Sequence, residues 1–211
     1  VAIRMPAHPV ALALIAAAKL PVAAPSANRS GEISPTTAEH VIKSLSPNFE
    51  LLLDAGPTQA GIESTVVDLS EATPRLLRPG PIALNELETL VGRIATARTP
   101  VEGPLRSPGT LTRHYAPRTP LMLAASRAEA ASLLVPTRCG WMALGTTPSC
   151  VPPQVMVRTM PADRCSYEAE LYAVLHELDE SSLDRIVAEL PPDTEQWRAV
   201  RDRLTRAAAH A

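Results

Sequence analysis

The chain has 211 residues, enough for one large domain or two small ones, with an ordinary apolar fraction and a net charge of −2. That near-neutral balance argues against a wholesale nucleic-acid binder, which carries a basic surplus. One Phe, two Trp and three Tyr leave the core to Ala, Val, Leu and Ile. Cys139, Cys150 and Cys165 are odd in number and lack a CxxC spacing, so neither a disulfide framework nor a zinc site is expected. The histidines form no HExxH-type pair, and no metal ligand set is predicted. No apolar run approaches the ~20 residues of a membrane span. No signal-peptide pattern opens the chain, so a cytoplasmic protein without a membrane partner is expected.

Residues 1–5 read as a short strand already under way, which points to a non-Met start codon or a truncation. His8-Pro9 opens an apolar helix, Val10 to Lys19, and Leu20 to Ala24 reads as a buried strand. The polar loop Pro25-Ser26-Ala27-Asn28-Arg29-Ser30-Gly31 follows. Thr36, with Glu39 three residues later, predicts a capping box and a helix to about Ser44. Strands are predicted at Phe49–Asp54, Ser64–Leu69 and Arg75–Arg78, and Asn85 is expected to cap a helix through Val91.

Gly92 to Pro120 shows no period, is rich in proline and arginine, and reads as a linker. From Leu121 a second α/β pattern begins. Strands are expected at Leu121–Ala124, Gly140–Leu144, Gln154–Arg158 and Arg185–Ala188. Ser126 caps a helix to Leu134, and a long amphipathic helix starts at Ser166. Trp197, Val200, Leu204 and Ala207–Ala208 share one face of the last helix. The alternation predicts an α/β fold in two parts: 1–92, then a linker 93–120, then a small doubly wound, Rossmann-like domain 121–211.

Three polar clusters sit at predicted strand ends: the loop from Ser26 to Thr37, Gly61-Ile62-Glu63-Ser64-Thr65, and Leu77-Arg78-Pro79-Gly80. In open α/β sheets ligands bind at strand carboxyl ends, so one nucleotide-type pocket is a reasonable reading. Ser26, Asn28, Ser30 and Ser34 suit phosphate or ribose, or they form a solvated turn that only caps a helix. Arg4 and Arg78 suit carboxylate or phosphate, or lie snorkelled on the surface. Tyr115, in His114-Tyr115-Ala116-Pro117, is a lid residue or an anchor for the linker. Ser64 stands in GIEST and not in a nucleophile elbow, and no His–Asp pair accompanies it, so a serine hydrolase is set aside.

These motifs in this order resemble the L-threonylcarbamoyladenylate synthases in their long, two-domain form. The resemblance rests on Ile3-Arg4-Met5-Pro6, the SANRSG loop, Ser34-Pro35-Thr36, Gly61 to Asp68, Leu77 to Gly80, Ser107-Pro108-Gly109 and Arg113 to Pro117. Tyr172, Leu178-Asp179 and Asp202-Arg203-Leu204 extend it to the tail. It implies a YrdC-like twisted-sheet domain before the linker. It also implies an enzyme making L-threonylcarbamoyladenylate and pyrophosphate from ATP, L-threonine and bicarbonate. Mg²⁺ would ride on the phosphates. The product would pass to a transferase machinery that modifies tRNA, and the basic linker gives a contact with tRNA slight support. Carried over by position, Arg4, Ala24 and Ser64 would bind threonine, and Ser26, Asn28, Ser34, Arg78 and Tyr115 would face ATP.

Members of that family carry a further stretch before the position of Val1, with a Pro-Thr-(Glu/Asp)-Thr-x-Tyr-Gly-Leu segment and a Lys-x-Arg motif that grips ATP. Neither occurs in this sequence. The expectation is a truncated, inactive product or a mis-called start, with part of the first sheet's edge and core exposed. A non-catalytic module that holds nucleotide or tRNA is the alternative.

Overall fold

The computed structural model describes residues 1–96, 111–134 and 138–209. Its first helix, α1 (Pro9–Ala18), starts where His8 Nδ1 accepts the Val10 amide at 3.3 Å, with Pro9 at a position that needs no donor. None of its residues is buried, although the sequence PVALALIAAA is apolar all round. Helix α2 (Ala38–Leu45) is capped by Thr37, whose hydroxyl accepts the His40 amide. The expected cap, Thr36, lies one residue early, and its amide donates to His40 Nδ1 at 3.2 Å.

Strands β1 (Val66–Asp68), β2 (Arg75–Arg78) and β3 (Ala95–Thr96) form a sheet in that order. The first pair is antiparallel and the second parallel. The parallel pair is joined through α3 (Leu84–Val91). Ala83 stands at its cap without a side-chain bond, and the expected cap Asn85 lies inside the helix. Strand β3 falls at the start of the segment read as a structureless linker. Residues 1–5, Leu20–Ala24 and Phe49–Asp54 are not strands. An apolar run becomes a strand only when its amides and carbonyls find a neighbour, and none of the three enters a ladder among the described residues.

The later part is regular. Strands β4 (Leu121–Ala124), β5 (Cys139–Leu144), β6 (Val155–Met160) and β7 (Arg185–Glu189) pair in parallel in the order β4-β7-β5-β6. Helices α4 (Arg127–Leu133), α5 (Arg164–Glu180) and α6 (Arg198–Ala208) enclose this sheet. Alternate strand residues serve opposite faces. Trp141, Ala143 and Val187 pack with Ala130 of α4. Met142, Ile186 and Ala188 pack with Leu171, Leu175, Val200 and Leu204 of α5 and α6. The doubly wound expectation holds. Ser126 caps α4 as predicted, whereas α5 starts earlier than Ser166, because Asp163 accepts the Ser166 amide at 2.9 Å.

Helices α5 and α6 also cover the first part. Ile33, Ile62 and Tyr115 belong to the same buried cluster as Leu171 and Leu204. Gly61, at φ +70°, lies so close to α5 that a Cβ there would collide with the Glu168 carbonyl oxygen. Only glycine satisfies both demands at low cost. None of the described helices is long and apolar enough to cross a membrane.

Candidate functional site

The GIEST and LRPG motifs and Ser34 meet where α5 and α6 press on the loops around the first sheet. The centre is Glu63, which precedes β1. One carboxylate oxygen accepts the Ser34 hydroxyl at 2.6 Å. The other accepts the Tyr172 hydroxyl of α5 at 3.1 Å and Arg203 Nε of α6 at 2.8 Å. Arg203 is completely buried. Its Nη2 donates to the Pro79 carbonyl at 2.9 Å and to the Glu63 carbonyl at 3.4 Å, and Nη1 donates to Asp202 at 2.8 Å. One guanidinium therefore ties the GIEST motif to the LRPG motif.

The electrostatics follow from that packing. Burial alone would raise the Glu63 carboxyl, but the Arg203 charge and the hydrogen bonds from Ser34 and Arg203 hold it below the usual carboxylate range. Burial pushes the Tyr172 hydroxyl well up, and the Glu63 charge pushes it further, so it stays a donor. A buried charge is tolerable only when paired and hydrogen-bonded, and this one is.

Tyr115 completes the centre. It is 1% exposed, its ring stacks on Tyr172 at 5.7 Å, and Arg203 lies 5.1 Å from its centroid. Its φ of +60° is left-handed, a conformation that costs a bulky residue on the order of 1–3 kcal/mol and persists where packing over-determines it. The backbone on either side is sewn down. Ala116 N donates to Gly31 O at 2.9 Å, Arg206 Nη1 to Leu111 O at 2.6 Å, and Thr119 N to Asp179 at 2.7 Å. Glu32 and Ala116 form a parallel bridge, so the chain around Tyr115 pairs with the end of the SANRSG loop. Ser107-Pro108-Gly109 lies outside the described residues.

The remaining predicted residues fall into two groups. Arg4 and Ala24 come together, Arg4 Nη2 donating to the Ala24 carbonyl at 2.8 Å, and both are exposed. Ser26 is exposed on its loop, and Asn28 closes that loop by donating to the Arg29 and Glu32 carbonyls at 2.8 and 3.1 Å. Around Glu63, Ser34 and Arg78 are buried. Arg78 Nε and Nη2 donate to the Ser64 carbonyl at 3.2 and 2.9 Å, while Ser64 itself is exposed. A backbone point of the GIEST motif is thus fixed by the arginine of the LRPG motif.

Two histidines flank the same loop from opposite parts of the molecule. His40 of α2 and His176 of α5 stack with ring centroids 3.8 Å apart. His176 Nε2 lies 3.2 Å from the Ser34 carbonyl. The sequence alone assigns no role to Glu63, Tyr172, Arg203, His40 or His176. The signal for Arg203 was present, since it falls on the apolar face Val200, Leu204, Ala207 of α6, where a charge needs a buried partner.

Residues 1–80 match the family described as Telomere recombination, and residues 82–209 match the Threonylcarbamoyl-AMP synthase, C-terminal domain family. The chain belongs to the threonylcarbamoyl-AMP synthases. It is 38% identical to the Threonylcarbamoyl-AMP synthase of Bacillus subtilis over 221 residues, covering 99% of this chain and 63% of that protein. It is 48% identical to that of Pyrococcus abyssi over 121 residues, covering 56% of this chain and 35% of the relative. The structure of P. abyssi Sua5 complexed with L-threonine superposes with a TM-score of 0.84 at 33% identity, over 97% of this chain and 63% of that one. The chain therefore spans under two thirds of the length of these relatives.

Proposed function

We propose that this chain carries the substrate-facing motifs of a synthase that joins L-threonine, bicarbonate and ATP into L-threonylcarbamoyladenylate. The observation that carries the reading is the convergence of the SPTT, GIEST and LRPG motifs on Glu63 and Arg203. The likeness to a structure complexed with L-threonine supports it. In this reading Arg4, Ala24 and Ser64 receive threonine, Arg4 through its carboxylate. Ser26, Asn28, Ser34, Arg78 and Tyr115 form the ATP side.

The chemistry asks for positioning. The threonine amine and bicarbonate give a carbamate and water. A carbamate oxygen then attacks the α-phosphorus of ATP, the bond to the β-phosphate bridge breaks, and pyrophosphate leaves. Alignment and charge stabilisation supply most of such catalysis, without a protein nucleophile. Among the described residues no three His, Cys, Asp or Glu side chains gather into a metal-holding group. The Mg²⁺ of this proposal enters as part of the substrate, on the ATP phosphates. The product serves a tRNA-modifying transferase.

The test is threonine-dependent release of pyrophosphate from ATP by the purified chain with bicarbonate and Mg²⁺. Turnover above background that Arg4→Ala loses through weaker threonine binding supports the reading. Nucleotide binding without turnover would instead identify a binding module.

A further inference from the structure

We propose that Arg203, assisted by Tyr172, is a positioning residue for the substrate loops. The C-terminal part then sets the geometry of the site directly. The inference rests on the threonine and ATP reading above. Glu63 itself points at the protein interior. Its hydrogen bonds nevertheless fix Ser34 through its hydroxyl, and its own backbone leads directly into Ser64. Remove the guanidinium, and three anchors go together: the Glu63 carboxylate, the Glu63 carbonyl and the Pro79 carbonyl. The Pro79 anchor matters because Pro79 adjoins Arg78, which holds the Ser64 carbonyl from the other side.

The arrangement is specific to arginine. A lysine supplies a point charge for Glu63 but not the planar fork that reaches two carbonyls at once. A buried carboxylate left without its charged partner must stay desolvated uncompensated or take up a proton, and either change disturbs the hydrogen-bond set that Glu63 shares with Ser34 and Tyr172. Tyr172 and Arg203 also form the bed on which Tyr115 rests, so the same contact seats the linker. Plain interface glue looks different in this molecule. Lys43 and Glu180 join the same two parts by an exposed ion pair at 2.8 Å.

The experiment uses the full chain and compares Arg203→Met, Arg203→Lys, Tyr172→Phe, the double variant Arg203→Met with Glu63→Gln, and Lys43→Met. Two readouts are taken: L-threonine affinity by calorimetry, and amide hydrogen exchange at residues 33–36 and 61–65 against β5 and β7. Arg203→Met is expected to weaken threonine at least about tenfold and to speed exchange in the two loops more than in β5 and β7. Arg203→Lys falls between it and the parent. The double variant recovers part of the loss, because no unpaired carboxylate remains. Lys43→Met changes neither readout. Equal exchange increases everywhere, unaltered threonine affinity in every Arg203 variant, or an equal effect of Lys43→Met overturns the inference. If Arg203→Met does not fold, Arg203→Lys and Tyr172→Phe decide it by the same comparison. A parent chain that binds no threonine overturns the functional reading, and the exchange pattern still decides whether Arg203 orders the loops.

Discussion

The four-stranded sheet is enclosed by α4 on one face and by α5 and α6 on the other, whereas the three-stranded sheet has little interior of its own. Before residue 97 only Ile33, Ile62, Leu76 and Ile94 are buried apolar residues, and α1 buries nothing. Val1, Ile3, Met5, Leu20, Leu51 and Leu90 are all exposed. The candidate site is built on the poorly supported part and held in shape by the well-supported one. The loops around Ser34 and Glu63 take their anchors, Tyr172 and Arg203, from α5 and α6.

Core truncation offers the largest test of that contrast. Leu175→Ala in α5 should cost about 2–5 kcal/mol, the usual range for a leucine removed from a close-packed core. Leu14→Ala in α1 should stay within about 0.5 kcal/mol, as at any exposed site. Urea unfolding of both variants measures the difference, and comparable losses would refute the picture of one enclosed and one open part.

A second test strikes the junction itself. Gly61→Ala adds a methyl group against the α5 backbone at a positive φ, so about 1–3 kcal/mol of strain is expected. The first part should open before the second, giving earlier proteolytic cleavage before residue 97 than in the four-stranded sheet. Simultaneous cleavage in both parts would mean that they unfold as one unit.

The smallest expected effect is a pH dependence. Burial lowers His40 below its ordinary 6.5, and the neighbouring His176 lowers it further. Burial likewise lowers His176, although its bond to the Ser34 carbonyl opposes this. Both rings face Lys43, which disfavours a charge, and Glu180, which favours one, with Glu39 acting on His40 and Asp179 on His176. With folded values below the unfolded one, the unfolded chain binds more protons. The stack's contribution is complete above pH 6.5 and is lost as pH falls through the folded values. Unfolding midpoints at about pH 7.5 and about pH 5.5 should differ, and His40→Gln with His176→Gln should narrow the difference. Glu63 acts lower: its depressed value gives stability present above 4.5 and lost below it.

The later part was readable from sequence because its central strands β5 and β7 are buried almost throughout and α5 and α6 repeat their apolar residues at helical spacing. Its four strands and three helices lie within a few residues of the bounds their apolar patterns predict. The first part was harder. Residues 1–5, Leu20–Ala24 and Phe49–Asp54 carry strand-like composition, but composition does not supply a pairing partner. Ser34, Ser64 and Arg78 stand out as polar groups at predicted strand ends and Tyr115 as an aromatic in the linker, whereas Glu63, inside the same GIEST cluster, carries no role of its own in the sequence. Its partners Tyr172 and Arg203 lie more than a hundred residues away, and only the tertiary fold brings them near.

That distance along the chain also sets a timetable. Arg203 follows Glu63 by 140 residues. At about 5–20 residues per second, a ribosome needs roughly 7–28 s to make that interval. Throughout it the Glu63 carboxylate lacks the guanidinium that pairs with it in the finished chain. Glu63 therefore waits longest for its last partner, and the arrangement around it is complete only once α6 has left the ribosome.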